Sequence, residues 1–148
     1  MTATEERSAF RRTVSVEIAI AAAPEVVWNH LVDAEDHVSW NSTVDSMEGP
    51  IAPGQRLAIR VPVAPGRTFR PRVVEWQPPW RMVWRDGALP LFRGDRTFSI
   101  TATDDGCTFS MTEELRGALL PLIGSSLPDF VPVFDRYAAD LREVCERQ

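Results

Sequence analysis

From Thr43 to Arg116 the chain never runs far without a turn signal. Gly49-Pro50, Pro53-Gly54, Pro65-Gly66, Pro78-Pro79 and Asp105-Gly106 cut it into short pieces, and Gly and Pro are the strongest local breakers of regular structure. Between the breaks apolar and polar residues alternate, which is the period of a half-buried strand. A run of about six short strands joined by tight turns makes an antiparallel meander. One strand precedes the run, with Val14, Val16, Ile18 and Ile20 alternating with Ser15, Glu17 and Ala19. Ala23-Pro24 ends it, and Pro24 suits the first position of a helix. Val27, Trp28 and Leu31 then share one helical face up to about Asp33, and a second short helix is expected from Ala34 to Trp40.

After Gly117 the pattern changes. Residues 118–124 are apolar without a clear period, and a helix is expected from near Leu127 almost to the C-terminus, with Ser126 as its cap and Pro132 delaying its first turn. At about 100° per residue, Leu127, Val131, Phe134, Ala138, Leu141 and Cys145 fall on one side of it, and Asp129, Arg136, Asp140, Glu143 and Arg147 on the other. The architecture this implies is α+β: a curved antiparallel β-sheet wrapped around a long C-terminal α-helix, with two short helices after the first strand. The 148 residues fit one domain, 1–148, in which residues 1–11 read as a flexible N-terminal tail.

The hairpins sort the side chains by face. Taking Asp105-Gly106 as a two-residue loop pairs Asp104 with Cys107 and puts Phe98 opposite Glu113. The apolar residues of both strands then share one face. Arg96 and Glu113 lie on that face too, diagonally across the pair, and a charge facing an apolar interior must be paired or hydrogen-bonded. They are expected to form an ion pair, or jointly to grip a polar ligand atom. A turn at Gln77-Pro78-Pro79-Trp80, with Trp76 opposite Arg81, places Phe69, Pro71, Val73, Glu75, Met82 and Trp84 on one face. Arg70, Arg72, Arg81 and Arg85 take the other. Arg56 and Arg60 continue this outer arginine stripe, which keeps exposed strands soluble or offers a partner surface. Arg96 alone is expected to turn inward.

Composition narrows the chemistry. All 16 basic residues are arginine, so Schiff-base, PLP and P-loop chemistry lack their lysine. A net charge of −5 argues against a nucleic-acid partner. The two histidines, His30 and His37, and the two cysteines, Cys107 and Cys145, have no metal-ligand spacing, so no metal and no cofactor is expected. His30 reads as a surface residue, whereas His37, three residues from Trp40, could look into a cavity mouth. Cys145 reads as a small buried hydrophobe. With no signal-peptide core and no apolar run of spanning length, a cytoplasmic protein without stable membrane insertion is expected.

Several stretches in order resemble one family. Residues 16–28 with Leu31, Asp33 and Trp40 resemble its opening strand and helix. Residues 73–79 through Met82-Val83-Trp84 resemble its central hairpin. Phe98-Ser99-Ile100, residues 105–108 and Met111-Thr112-Glu113 through Gly117 resemble its last one, and the amphipathic final helix completes the set. The chain resembles the START-like, helix-grip (SRPBCC) superfamily, in particular its polyketide cyclase/dehydrase and lipid-transport group, over about residues 12–147. The resemblance implies a hydrophobic cavity between sheet and last helix and a small apolar or amphipathic ligand of lipid, polyketide or quinone type. Trp40, Trp84, Phe98, Met111, Val131 and Phe134 would then give apolar contact, and Arg96 and Glu113 would orient a polar group. The alternative is a polyketide cyclase or dehydratase. Glu113 would be its general base, Arg96 its enolate stabiliser and Tyr137, on the flank of the final helix, a proton donor. A protein-interaction module using the arginine stripe is a third reading.

Overall fold

The alternation between Thr43 and Arg116 produces the expected strands, with one added at the front. The computed structural model describes residues 3–147. In chain order the elements are β1 (Thr4–Arg7), β2 (Arg11–Ile20), α1 (Pro24–Val32), α2 (Ala34–Trp40), β3 (Ser46–Glu48), β4 (Ala58–Arg60), β5 (Arg72–Gln77), β6 (Arg81–Ala88), β7 (Phe92–Thr103), β8 (Gly106–Arg116), α3 (Leu120–Ile123) and α4 (Val131–Glu146). Six strands make one antiparallel sheet in the order β1-β2-β8-β7-β6-β5. β3 and β4 form a separate pair, tied to the sheet side by bridges from Arg56 to Arg72 and from Ile59 to Phe69. α4 lies across the inner face and buries Phe134, Tyr137, Ala138, Leu141 and Cys145.

The N-terminal tail is a correction. Thr4–Arg7 pairs with β2, Ala3 is buried, and the Ala3 N–H donates to Asp135 Oδ1 on α4 at 2.5 Å. The alternation there is too polar to read as a strand, because only its backbone joins the sheet edge. Met1 and Thr2 lie outside the described residues. The last helix starts at Val131 rather than near Leu127, with Pro132 in its first turn and Asp129 Oδ1 accepting from the Val131 N–H at 3.1 Å. Ser126 does not cap it. Its hydroxyl donates back to Ile123 O at 2.7 Å within a 3-10 turn. The apolar stretch before that turn contains α3.

Both hairpin registers differ from expectation, and both differences are physical. β7 and β8 pair Thr103 with Gly106, so Asp104-Asp105 is the loop and Arg96 stands directly opposite Glu113 instead of diagonally. An Asp105-Gly106 loop of the type I′ kind would need φ above zero at both residues, and among the described residues none other than glycine has it. Gly106, at φ +153°, serves close approach instead, since a Cβ there would meet Ile20 O at 2.2 Å. In the β5–β6 hairpin a bulge at Val74 shifts the register. A bulge adds one residue and so exchanges faces beyond it. Glu75 turns outward to pair with Arg81 at 2.7 Å, and Trp76 turns inward, 5.1 Å from Trp28 in an edge-on contact.

Arg96 is not the only inward arginine. Arg12, on the face that carries Val14 and Val16, is buried and donates to Gly124 O at 3.0 Å. The outer stripe stands as read: Arg72 donates to Gly54 O at 2.8 Å and Arg85 pairs with Asp95 at 2.6 Å. His30 is half-buried rather than a surface group, with Nδ1 2.6 Å from Asp36 Oδ2.

Candidate functional site

One rung of the sheet carries the polar chemistry. The pairings align Val73, Trp84, Arg96, Glu113 and Val14 across β5, β6, β7, β8 and β2, all toward α4. Arg96 Nε donates to Glu113 Oε2 at 2.8 Å, and the guanidinium lies over the Phe134 ring of α4, 5.1 Å from its centre. Burial by itself works against the guanidinium's charge. Glu113 outweighs it and holds the Arg96 pKa above its ordinary value. The pair is not sealed, since Arg96 keeps 23% of its side-chain surface accessible and Glu113 keeps 17%. Gly94 leaves the space beside Glu113, because a Cβ there would lie 3.5 Å from Glu113 Oε1 and 3.1 Å from Leu115 Cδ2.

That surface faces a cavity of about 110 Å³. Trp84, Arg96, Glu113 and Tyr137 line it together with His37. Val44, Met47, Ile59, Phe69, Phe130 and Val133 supply apolar wall. A second space of about 250 Å³ shares Phe69, Asp86, Gly94, Glu113 and Phe130 with it and forms a vestibule. The other sequence-predicted contacts stand elsewhere. Phe98 and Met111 are buried in the sheet, and Phe98 packs 4.6 Å from Trp84. Phe134 is covered by Arg96. Trp40 packs against His37 with ring centres 4.6 Å apart and planes tilted by 36°, and its indole N–H donates to His30 O at 3.1 Å. Val131 is half-buried at the start of α4, where its neighbours Phe130 and Val133 reach the cavity instead.

The residue sequence reasoning undervalued is His37. It is fully buried, and its Nδ1–H donates to Leu31 O at 3.0 Å. That fixes the tautomer and leaves Nε2 as the acceptor. Two donors reach Nε2, each at 3.0 Å: Asn41 Nδ2 and the Tyr137 hydroxyl. Asn41 is held in this sense because its Oδ1 accepts from Thr43 N at 2.9 Å and Thr43 Oγ1 at 2.6 Å. Burial first, then the Arg96 charge, push the His37 pKa down to about 4, so the ring is neutral at physiological pH. Tyr137 sits in the middle of the buried face of α4 rather than on its flank, and burial drives its phenol pKa above the usual range. The legible signal was the spacing of His37 and Asn41, one helical turn apart behind Trp40. Trp84 adds an indole N–H that is buried without a hydrogen-bond partner among the described residues. Cys145, whose thiol burial raises to about 12, and Cys107, raised for the same reason, are packed and unreactive. Among the described residues no group of His, Cys, Asp and Glu could hold a metal ion. No helix there is long and apolar enough to cross a membrane.

A curved antiparallel sheet closed by one long helix over a lined cavity defines the helix-grip class. A family model described as polyketide cyclase / dehydrase and lipid transport matches residues 11–145, and the chain belongs to that family. No curated protein matches the sequence. Solved structures share the fold at low identity. Protein MLL2253 of Mesorhizobium loti is 21% identical with a TM-score of 0.68, covering 93% of this chain and 98% of that one. The di-domain ARO/CYC StfQ of the steffimycin biosynthetic pathway is 13% identical with a TM-score of 0.73, covering 94% of this chain and 52% of that one. A norcoclaurine synthase point mutant of Thalictrum flavum, solved with a transition-state analogue, is 12% identical with a TM-score of 0.67, covering 96% and 98%.

Proposed function

We propose that this chain binds a small apolar or amphipathic molecule, of lipid, polyketide or quinone type, in the cavity between the sheet and α4. The Arg96–Glu113 pair holds its polar group. One observation carries the reading: an inward-facing ion pair keeps part of both side chains open to an apolar-walled space. Binding pockets are mostly apolar with a few placed polar groups, and this rung fits that description. Native mass spectrometry of protein purified from its host, followed by solvent extraction, tests it. A discrete apolar ligand is expected, at reduced occupancy in Glu113→Gln; an empty protein that takes up no apolar compound would overturn the reading.

A second reading has its own observation. The neutral His37 accepts a hydrogen bond from the Tyr137 hydroxyl at the cavity wall. Because Asn41 Nδ2 also reaches Nε2, the single O–H can turn from His37 to a substrate carbonyl while the ring acceptor stays satisfied. In a cyclase or dehydratase, Glu113 would take a proton from carbon, while Arg96 and Tyr137 would stabilise the enolate oxygen. Glu113→Gln separates the two readings. Turnover lost with binding retained supports the enzyme, and a protein that binds without turning over any poly-ketone supports the carrier.

A further inference from the structure

Among the described residues six large apolar side chains are exposed, and four of them gather at one end of the sheet: Phe10 at 60%, Leu89 at 43%, Leu91 at 58% and Leu122 at 78%. Backbone hydrogen bonds tie their loops together. Gly117 N donates to Phe10 O at 3.1 Å, Ala118 N to Pro90 O at 2.8 Å and Leu119 N to Leu91 O at 2.9 Å. Leu122 follows on α3. Scattered exposed leucines need no explanation, but a contiguous patch does.

Directly behind these tips, β2, β8 and β7 meet in a rung made only of arginine: Arg11, Arg116 and Arg93. Like charges directly opposite on neighbouring strands oppose pairing, so sheet formation alone gives no reason for them. The acidic residues stand two positions deeper, in the rung of Glu114 and Asp95, about 7 Å back at about 3.3 Å per residue. Glu114 is shared by Arg11 and Arg116, and Asp95 by Arg85 and Arg93. Two carboxylates thus serve four guanidiniums. Arg93 Nε and Arg116 Nε lie 3.3 Å from those carboxylates without making hydrogen bonds.

This end of the molecule is therefore layered, with apolar tips outermost, a cationic rung behind them and the acidic groups deeper still. We propose that it docks on an anionic lipid bilayer, with Phe10, Leu89, Leu91 and Leu122 entering the acyl boundary and Arg11, Arg93 and Arg116 meeting the lipid phosphates. Guanidinium forks match phosphate oxygens, and apolar side chains below basic ones are the arrangement of interfacial anchors. The chain as a whole carries a net charge of −5 and is repelled by such a surface, so docking has to go through a basic end that also presents apolar tips. Phe92 and Leu115, the chain neighbours of Leu91 and Arg116, line the vestibule, so docking brings the vestibule to the bilayer. The inference goes beyond the cavity reading and does not depend on it, because a chain that docks with an empty cavity satisfies one and not the other.

Co-sedimentation with lipid vesicles tests the proposal. Binding is expected to vesicles of equimolar phosphatidylcholine and phosphatidylglycerol, and to be at least ~10-fold weaker with phosphatidylcholine alone, since each basic residue near an anionic surface contributes roughly fivefold. Leu91→Asp combined with Leu122→Asp, both at exposed positions, should weaken binding by ~10-fold or more at unchanged circular dichroism. Arg11→Gln with Arg116→Gln should remove the preference for the anionic vesicles. A wild-type chain that fails to bind them, or an aspartate variant that binds as well as the wild type, overturns the proposal. So does a chain that ignores vesicles but changes from dimer to monomer in the aspartate variant, because the patch is then an interface between copies.

Discussion

Two ion pairs of the same kind sit on opposite faces of β7, one residue apart, and they do different work. On the outer face Arg85 meets Asp95 at 2.6 Å with 40% of the arginine side chain open to water. On the inner face Arg96 meets Glu113 at 2.8 Å beneath Phe134. Distance and chemistry nearly match, so the environment makes the difference. Water screens the outer pair and solvates either partner if the other is lost. The inner partners have given up most of their water and depend on each other. A sheet face therefore decides whether an arginine stays solvated or depends on a partner at a cavity wall.

The largest break in that comparison comes from removing one inner partner. Glu113→Ala leaves a guanidinium facing apolar wall, and a loss of roughly 3–5 kcal/mol is expected, read as a lower urea midpoint. The double change Arg96→Met with Glu113→Leu should recover most of it, because two apolar side chains leave no charge uncompensated. A single variant as stable as the wild type would mean the cavity is wet enough to act as solvent, and the two faces would then not differ.

The next effect depends on pH. His37 in the fold has its pKa pushed from 6.5 down to about 4, chiefly by burial. The unfolded chain therefore takes up the proton at higher pH than the folded one. Stability from the neutral ring is complete above pH 6.5 and falls as the pH drops toward 4, by about 3 kcal/mol in total. Urea melts across that window should show the slope in the wild type and a shallower one in His37→Gln, whose other carboxylates titrate as before.

How far this site could be read from sequence follows from the same two faces. Alternation put Arg96 and Glu113 together on the inner face, and a register error of two residues left both there, because faces repeat every second residue. The one-residue bulge at Val74 was invisible to that logic, and it exchanged Glu75 with Trp76. Helical periodicity placed Phe134, Ala138, Leu141 and Cys145 on the buried side of α4 but left Tyr137 on the flank. The centre of its buried arc is set by where β2 and β7 press, which the helix alone does not encode. His37 was legible only as a histidine near a tryptophan. Its function as an acceptor rests on Tyr137, 100 residues away, and on the Asn41–Thr43 bonds that orient the amide. β1 escaped entirely, because an edge strand held by its backbone carries no apolar period.

A smaller effect sharpens the inner face itself. Tyr137→Phe removes one of the two donors to His37 Nε2, but Asn41 Nδ2 remains at 3.0 Å. The acceptor is not orphaned, so the expected loss is about 1 kcal/mol rather than the larger cost of an unsatisfied buried group. Asn41→Ala in the same background removes the second donor and should cost more than it does alone, giving a positive coupling in a double-mutant cycle. Strict additivity would show that the two donors do not share Nε2.

The smallest expected change tests the outer face. Arg85→Gln removes a pair whose arginine is two-fifths exposed, and Asp95 still has Arg93 at 3.3 Å. The stability change should stay within about 0.5 kcal/mol and shrink further as salt is added. The comparison is informative because the position lies one residue diagonal from Arg96, on strands of the same sheet with the same backbone pairing. If Arg85→Gln were to cost as much as Glu113→Ala, the outer groove formed by Glu75, Arg81, Arg85 and Asp95 would be a desolvated site in its own right. The arginine stripe would then have to be read as a binding surface rather than a solvated one.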